Sequence, residues 1–209
     1  MLGAAGHEVT HLRSHDVAVD FPLTLEQLDA YDVVILSDIG ANSLLLPPQV
    51  FEEGRRAPNR LKLLREWVHG GGGLMMAGGY LSFQGFQAKA NYHDTAVEEV
   101  LPVTILPTTT GSRPGGGRGH PHRHGPLRHP RPRRYVAAIL GYQKLAARGD
   151  AIVLAEVEGR PLLAVRSVGE GRTLAYASDI SPHWAPQEFM AWPGYAALFG
   201  NAVSWLAGA

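Results

Sequence analysis

The sequence predicts an α/β sandwich with a mostly parallel sheet, and three observations carry that expectation. Residues 32–36 (DVVIL) and 74–77 (LMMA) are short apolar runs suited to buried strands. Between them, residues 59–69 set Leu61, Leu64, Trp67 and Val68 at helical spacing. Strand–helix–strand order predicts a parallel pair with a right-handed crossover. Three further β-rich runs, 151–157, 161–168 and 172–178, precede an apolar helical stretch over 193–206.

Taken in order, residues 2–5 read as the last turn of a helix with Gly6 at its left-handed end. Residues 7–12 read as a short strand. A helical turn with no strand before it leads to the expectation of a strand and most of a helix upstream of Met1, so the sheet is expected to lack its first strand. Residues 25–30 are a short helical segment, and Pro47 and Pro48 break the chain before the 59–69 helix. The glycines at 70–73 end that helix, and the strand 74–77 stops at Gly78 and Gly79, which permit a turn or a close backbone approach. Thr95 is placed to cap a short helix within 92–100, with Glu98 three residues later. Glu158-Gly159 and residues 169–171 are tight hairpin signals, so the second half carries an antiparallel element. The chain shows no internal repeat.

Composition narrows the chemistry. A single domain over 1–209 is expected from the length. Net charge is +0 at pH 7, which gives no argument for a nucleic-acid or membrane partner. No run approaches the roughly 18 apolar residues of a membrane span, and the first residues lack a signal pattern. With 0 cysteines the chain has no disulfide, no thiolate nucleophile and no Cys-ligated metal. That is compatible with a cytoplasmic setting.

Residues 108–138 stand apart as an Arg/His/Pro/Gly-rich segment. Residues 110–134 hold seven arginines, four histidines and no acid, and only Leu127 is a large aliphatic. Such a segment cannot offset its ordering entropy by burial. A basic arm for RNA or acidic surfaces is one reading, although it lacks aromatics for base stacking. A metal site from His120, His122, His124 and His129 is another, although no carboxylate or rigid element frames it. An ordinary flexible loop is a third. The preferred reading is translation of a GC-rich gene out of frame between two compensating shifts, since ordinary sequence resumes abruptly at Tyr135.

Three predicted strand ends carry the candidate chemistry: Ser37 to Asn42, Gly78 to Phe83, and Ser178-Asp179 with His183-Trp184. Catalysis needs a base, an acid that orients it and donors for a developing anion. His183 can serve as the base, Asp179 as its orienting acid, the amides near Gly79 and Tyr80 as an anion hole, and Ser82 as a hydroxyl nucleophile. Bland alternatives stand beside each. His183 can cap or pack a loop, Asp38 and Asp179 can bond local turn amides, and Ser82 can cap a helix. Tyr80, Phe83 and Trp184 can be core or pocket wall. The run at 70–73 has the wrong order for a phosphate loop, which needs strand, glycines, helix.

Four blocks, residues 31–48, 71–103, 140–145 and 171–184, resemble the glutamine amidotransferase-like family of uncharacterised bacterial cytoplasmic proteins. That family is related to class I amidotransferases and to the trehalose-utilisation-protein-like group. The resemblance implies a flavodoxin-like three-layer sandwich and a cytoplasmic protein. In class I amidotransferases the turn carries a nucleophilic Cys, followed later by His and Glu. Here the nucleophile position is closest to Gly79 and the later His to His183, while Glu188 lies too far along to match the Glu. The expectation is therefore a domain without glutaminase activity that binds a small polar, carbohydrate-like ligand. Asp38, Asn42, Gly78, Gly79, Tyr80, Phe83 and Trp184 are its expected contacts, with no cofactor and no metal. Two alternatives are a hydrolase using His183 with Ser82 or an activated water, and a non-catalytic homo-oligomeric assembly module.

Overall fold

A computed structural model describes residues 2–107 and 138–209. The Arg/His-rich segment, including His120, His122, His124 and His129, lies outside the described residues apart from Ala138.

A five-stranded sheet organises the described residues. In chain order its strands are β1 (Val33–Ser37), β2 (Gly73–Ala77), β5 (Ile152–Val157), β6 (Arg160–Val168) and β7 (Gly171–Tyr176). In space the order is β1-β2-β7-β6-β5. A separate antiparallel pair joins β3 (Val103–Ile105) to β4 (Leu145–Ala147).

The sheet is mixed, which corrects the expectation of a mostly parallel one. β1–β2 and β2–β7 are parallel, whereas β7–β6 and β6–β5 are antiparallel. The cause is local. Glu158 and Gly159 both take positive φ, 49° and 73°, as a two-residue primed turn requires, and Gly169 (φ 58°) opens the next hairpin. Two such turns fold β5, β6 and β7 back on one another.

The expected strand over 7–12 does not form. That stretch has no strand partner among the described residues, and Val9 is 54% exposed. A β-like composition fixes no strand without an edge to pair with. The turn before it does form, as Gly3–Ala5 closed by Gly6 at φ 88°.

Eight α-helical segments are described: α1 (Val17–Asp20), α2 (Leu25–Leu28), α3 (Ala41–Leu45), α4 (Pro48–Phe51), α5 (Arg60–His69), α6 (Ala96–Val100), α7 (Gln187–Met190) and α8 (Gly194–Leu206). No helix among the described residues is long and apolar enough to cross a membrane. Helix α5 makes the crossover from β1 to β2. Asn59 caps it by accepting from the Leu61 and Lys62 amides, both at 3.1 Å. The four apolar residues expected to face inward are all buried. Both α5 and α8 pack on β2 and β7, and every residue of β2 is buried.

Two buried charges were not expected. The Arg60 guanidinium donates to the carbonyls of Val17 (3.4 Å), Ala18 (2.9 Å) and Val19 (3.5 Å), so the first residue of α5 anchors α1. Glu98 accepts the amides of Asp94 and Ile105, each at 2.6 Å, and thereby joins the start of α6 to β3. Thr95 caps α6 as expected, accepting from the Glu98 amide.

Candidate functional site

Strands β1, β2 and β7 run parallel, so Ser37, Ala77 and Tyr176 lie in register at one edge of the sheet. Open α/β sheets bind ligands beyond such carboxyl ends. Asp38 follows β1, Gly78 and Gly79 follow β2, and Ser178 and Asp179 follow β7.

Glycine is required twice after β2. The Gly78 amide donates to Tyr176 O at 2.8 Å, and a Cβ there would lie 2.3 Å from Ala177 O. Gly79 has φ 148°, and a Cβ on it would lie 2.2 Å from Asp38 Oδ1. The Asp38 carboxylate thus fills the space over the turn. Asp38 itself is left-handed (φ 51°), a conformation aspartate tolerates better than most residues.

The same carboxylate is tied across the edge. Asp38 Oδ1 accepts the Leu81 amide at 2.9 Å, and the Asp38 amide donates to Ser82 Oγ at 3.0 Å. Ser82 is 1% exposed. Its hydroxyl therefore joins the end of β1 to the loop after β2, and it caps no helix.

Asp179 is fully buried and its two oxygens differ. Oδ1 accepts from the Ser181 amide and the Ser181 hydroxyl, both at 2.8 Å, the turn role that sequence reasoning weighed. Oδ2 is buried without a hydrogen-bond partner and lies 3.6 Å from His183 Nδ1. Burial pushes the Asp179 carboxyl above the usual carboxylate range. The Ser181 hydrogen bonds pull it back, the Asp38 charge adds to the rise, and His183 opposes it. One donor atom each from Asp38, Asp179 and His183 lie within 4.8 Å of one another.

Aromatic rings wall this group. Tyr80 is 40% exposed, and its ring centroid lies 5.6 Å from His183, 5.8 Å from Trp184 and 6.0 Å from Phe86. Trp184 is buried against Gly141, where a Cβ would come within 2.7 Å of the indole. The His183 side chain is 57% exposed.

The structure therefore brings Asp38, Gly78, Gly79, Tyr80, Ser82, Asp179, His183 and Trp184 to one edge. It does not present Phe83 there. That side chain is fully buried in the core, on a left-handed backbone (φ 56°). Asn42 is exposed in the first turn of α3 and enters none of these hydrogen bonds. Gln143 was missed. Its side chain donates to Gly79 O at 2.8 Å, and its amide donates to Ala177 O at 2.8 Å, so it clamps the ends of β2 and β7. Its only sequence signal was its place in the short block 140–145.

The family model described as "Putative glutamine amidotransferase" matches residues 1–208. The chain belongs to this GATase1-like family. Cytoplasmic Protein STM3548 from Salmonella typhimurium superposes with a TM-score of 0.86 at 37% identity, over 98% of this chain and 83% of that one. Cytoplasmic Protein STM1381 from Salmonella typhimurium LT2 gives a TM-score of 0.88 at 36% identity, over 98% and 84%. A search of curated proteins found no match. This GATase1-like chain has no cysteine, and the carboxylate of Asp38, the residue after β1, fills the space over its turn after β2.

Proposed function

We propose that this GATase1-like domain has no glutaminase activity and binds a small polar, carbohydrate-like ligand at the edge formed by β1, β2 and β7. The observation that carries the reading is the Asp38 carboxylate over Gly79, 2.2 Å from where a Cβ would stand. That carboxylate also disfavours an oxyanion beside the turn, since like charges repel. What remains suits a polyhydroxylated molecule. Carboxylates accept from hydroxyl groups, the imidazole exchanges hydrogen bonds with them, and Tyr80, backed by the buried Trp184, offers an apolar face. The reading places the chain in a flavodoxin-like three-layer arrangement and in the cytoplasm. The packing of α5 and α8 on β2 and β7 supports the first, and the names of the two Salmonella proteins support the second.

Calorimetric titration of the full chain against monosaccharides, disaccharides and sugar acids tests this. The expected result is saturable binding weakened about tenfold or more by Tyr80→Ala, together with no ammonia release from glutamine. A folded protein that binds none of the panel, or that releases ammonia, overturns it.

One observation favours a second reading. The Asp179–His183 pair is the arrangement of an acid orienting an imidazole base. In that reading an activated water is the nucleophile, because the Ser82 hydroxyl is buried and accepts the Asp38 amide. Ester or amide turnover abolished by His183→Ala is its expected signature.

A further inference from the structure

We propose that Asp38, Asp179 and His183 bind a divalent transition-metal ion, zinc or manganese, at the edge where β1 and β7 end. The proposal stands on these three side chains and needs no carbohydrate ligand.

The donor set is two carboxylates and an imidazole, a mixture that suits zinc and manganese and contains no thiolate. Ligand bonds of about 2.0–2.2 Å place neighbouring donors on one ion roughly 3–4 Å apart. Asp179 Oδ2 and His183 Nδ1 are separated by 3.6 Å, and Asp38, Asp179 and His183 each offer one donor atom within 4.8 Å of the other two.

Burial supplies an independent argument. Asp179 Oδ2 has no hydrogen-bond partner, on a side chain with 0% exposure. An unpaired buried carboxylate is costly, and a second carboxylate beside it raises the cost. A cation between them removes both penalties. The other oxygen of Asp179 is held by Ser181, and Asp38 Oδ1 is held by the Leu81 amide. Outer hydrogen bonds of this kind fix the orientation of metal-binding carboxylates. The half-exposed His183 is the donor that meets solvent, and three protein donors leave positions for water or substrate.

A second cluster shows the contrast. His93, Asp94 and Glu98 also lie within 4.8 Å of one another. There both Glu98 oxygens already accept backbone amides, and the Asp94 side chain is 87% exposed. Both Glu98 oxygens are committed to folding, and the unpartnered atom in that cluster is a nitrogen, His93 Nδ1, whereas at the strand ends the carboxylate oxygen Asp179 Oδ2 has only the His183 imidazole at 3.6 Å.

The test is calorimetric titration of the chelator-treated full chain with Zn²⁺ alone and with Mn²⁺ alone. Parallel titrations use Asp179→Asn, His183→Ala and a variant with His120, His122, His124 and His129 all changed to Ala. Circular dichroism confirms that each is folded, and the exposed His183 makes its variant the one least exposed to folding loss. The expected result is one bound equivalent, weakened at least about tenfold by His183→Ala and by Asp179→Asn, and retained in the four-histidine variant. Binding that survives both site changes, binding lost with the four histidines, or no binding at millimolar metal overturns the proposal. Sugar titrations of the chelated and metal-loaded protein keep this outcome separate from that of the ligand reading.

Discussion

Gly79→Cys is expected to destabilise the protein by about 2–6 kcal/mol and to restore no ammonia release from glutamine. The figure combines a strained backbone, about 1–3 kcal/mol, with overpacking of similar size. The strain arises because Gly79 sits at φ 148°, and the overpacking because a Cβ there would lie 2.2 Å from Asp38 Oδ1. Urea denaturation measures the loss. The double change Gly79→Cys with Asp38→Gly is expected to recover the overpacking share and leave the backbone share. A Gly79→Cys protein as stable as the parent shows that the carboxylate moves aside freely, and the turn after β2 is then not blocked.

Arg60→Ala is expected to cost about 2–4 kcal/mol, from lost charged hydrogen bonds and a residual cavity. The guanidinium is 1% exposed, donates to three successive carbonyls of α1 and lies 5.9 Å from the Phe21 ring centroid. Removing it leaves the Ala18 and Val19 carbonyls without that donor. Arg60→Lys should recover only part of the loss, because a compact ammonium lacks the planar fork whose two nitrogens reach these carbonyls. A midpoint change equivalent to less than about 0.5 kcal/mol, the range of ordinary surface substitutions, shows that α1 is held by other contacts.

What was legible in the sequence was whatever depends on neighbours along the chain. The apolar run of β2, the one-sided spacing of Leu61, Leu64, Trp67 and Val68, the Thr95 cap and the Glu158-Gly159 turn each hold their information within a few residues. The parallel β1–β2 pair follows from two of them. The balance of the sheet was not legible, because it depends on β7 joining β2 as well as β6. The strand expected at 7–12 failed for a related reason, since pairing is decided by what lies alongside. At the candidate site, the strand-end residues were readable as types but not as roles. Asp38 bonds across to Leu81, Ser82 serves the Asp38 amide and Gln143 clamps two strands. All three are contacts between segments distant in sequence. The group Asp38, Asp179 and His183 has no diagnostic spacing, so no metal was expected from the residues alone.

The placement of β7 sets an order of assembly. β5, β6 and β7 meet through two short turns, so their contacts are local and their loop-closure cost is small. The partner of Arg172 on the other side is Gly73, far away in the chain. We therefore expect the meander to form before β2 docks on β7. Pulse-labelled hydrogen exchange during refolding should protect β6 amides before those of β2, and the reverse order would refute it. The edge holding Asp38, Gly79 and Asp179 exists only after the long-range pairing closes, so occupancy of that edge reports that the whole sheet has folded.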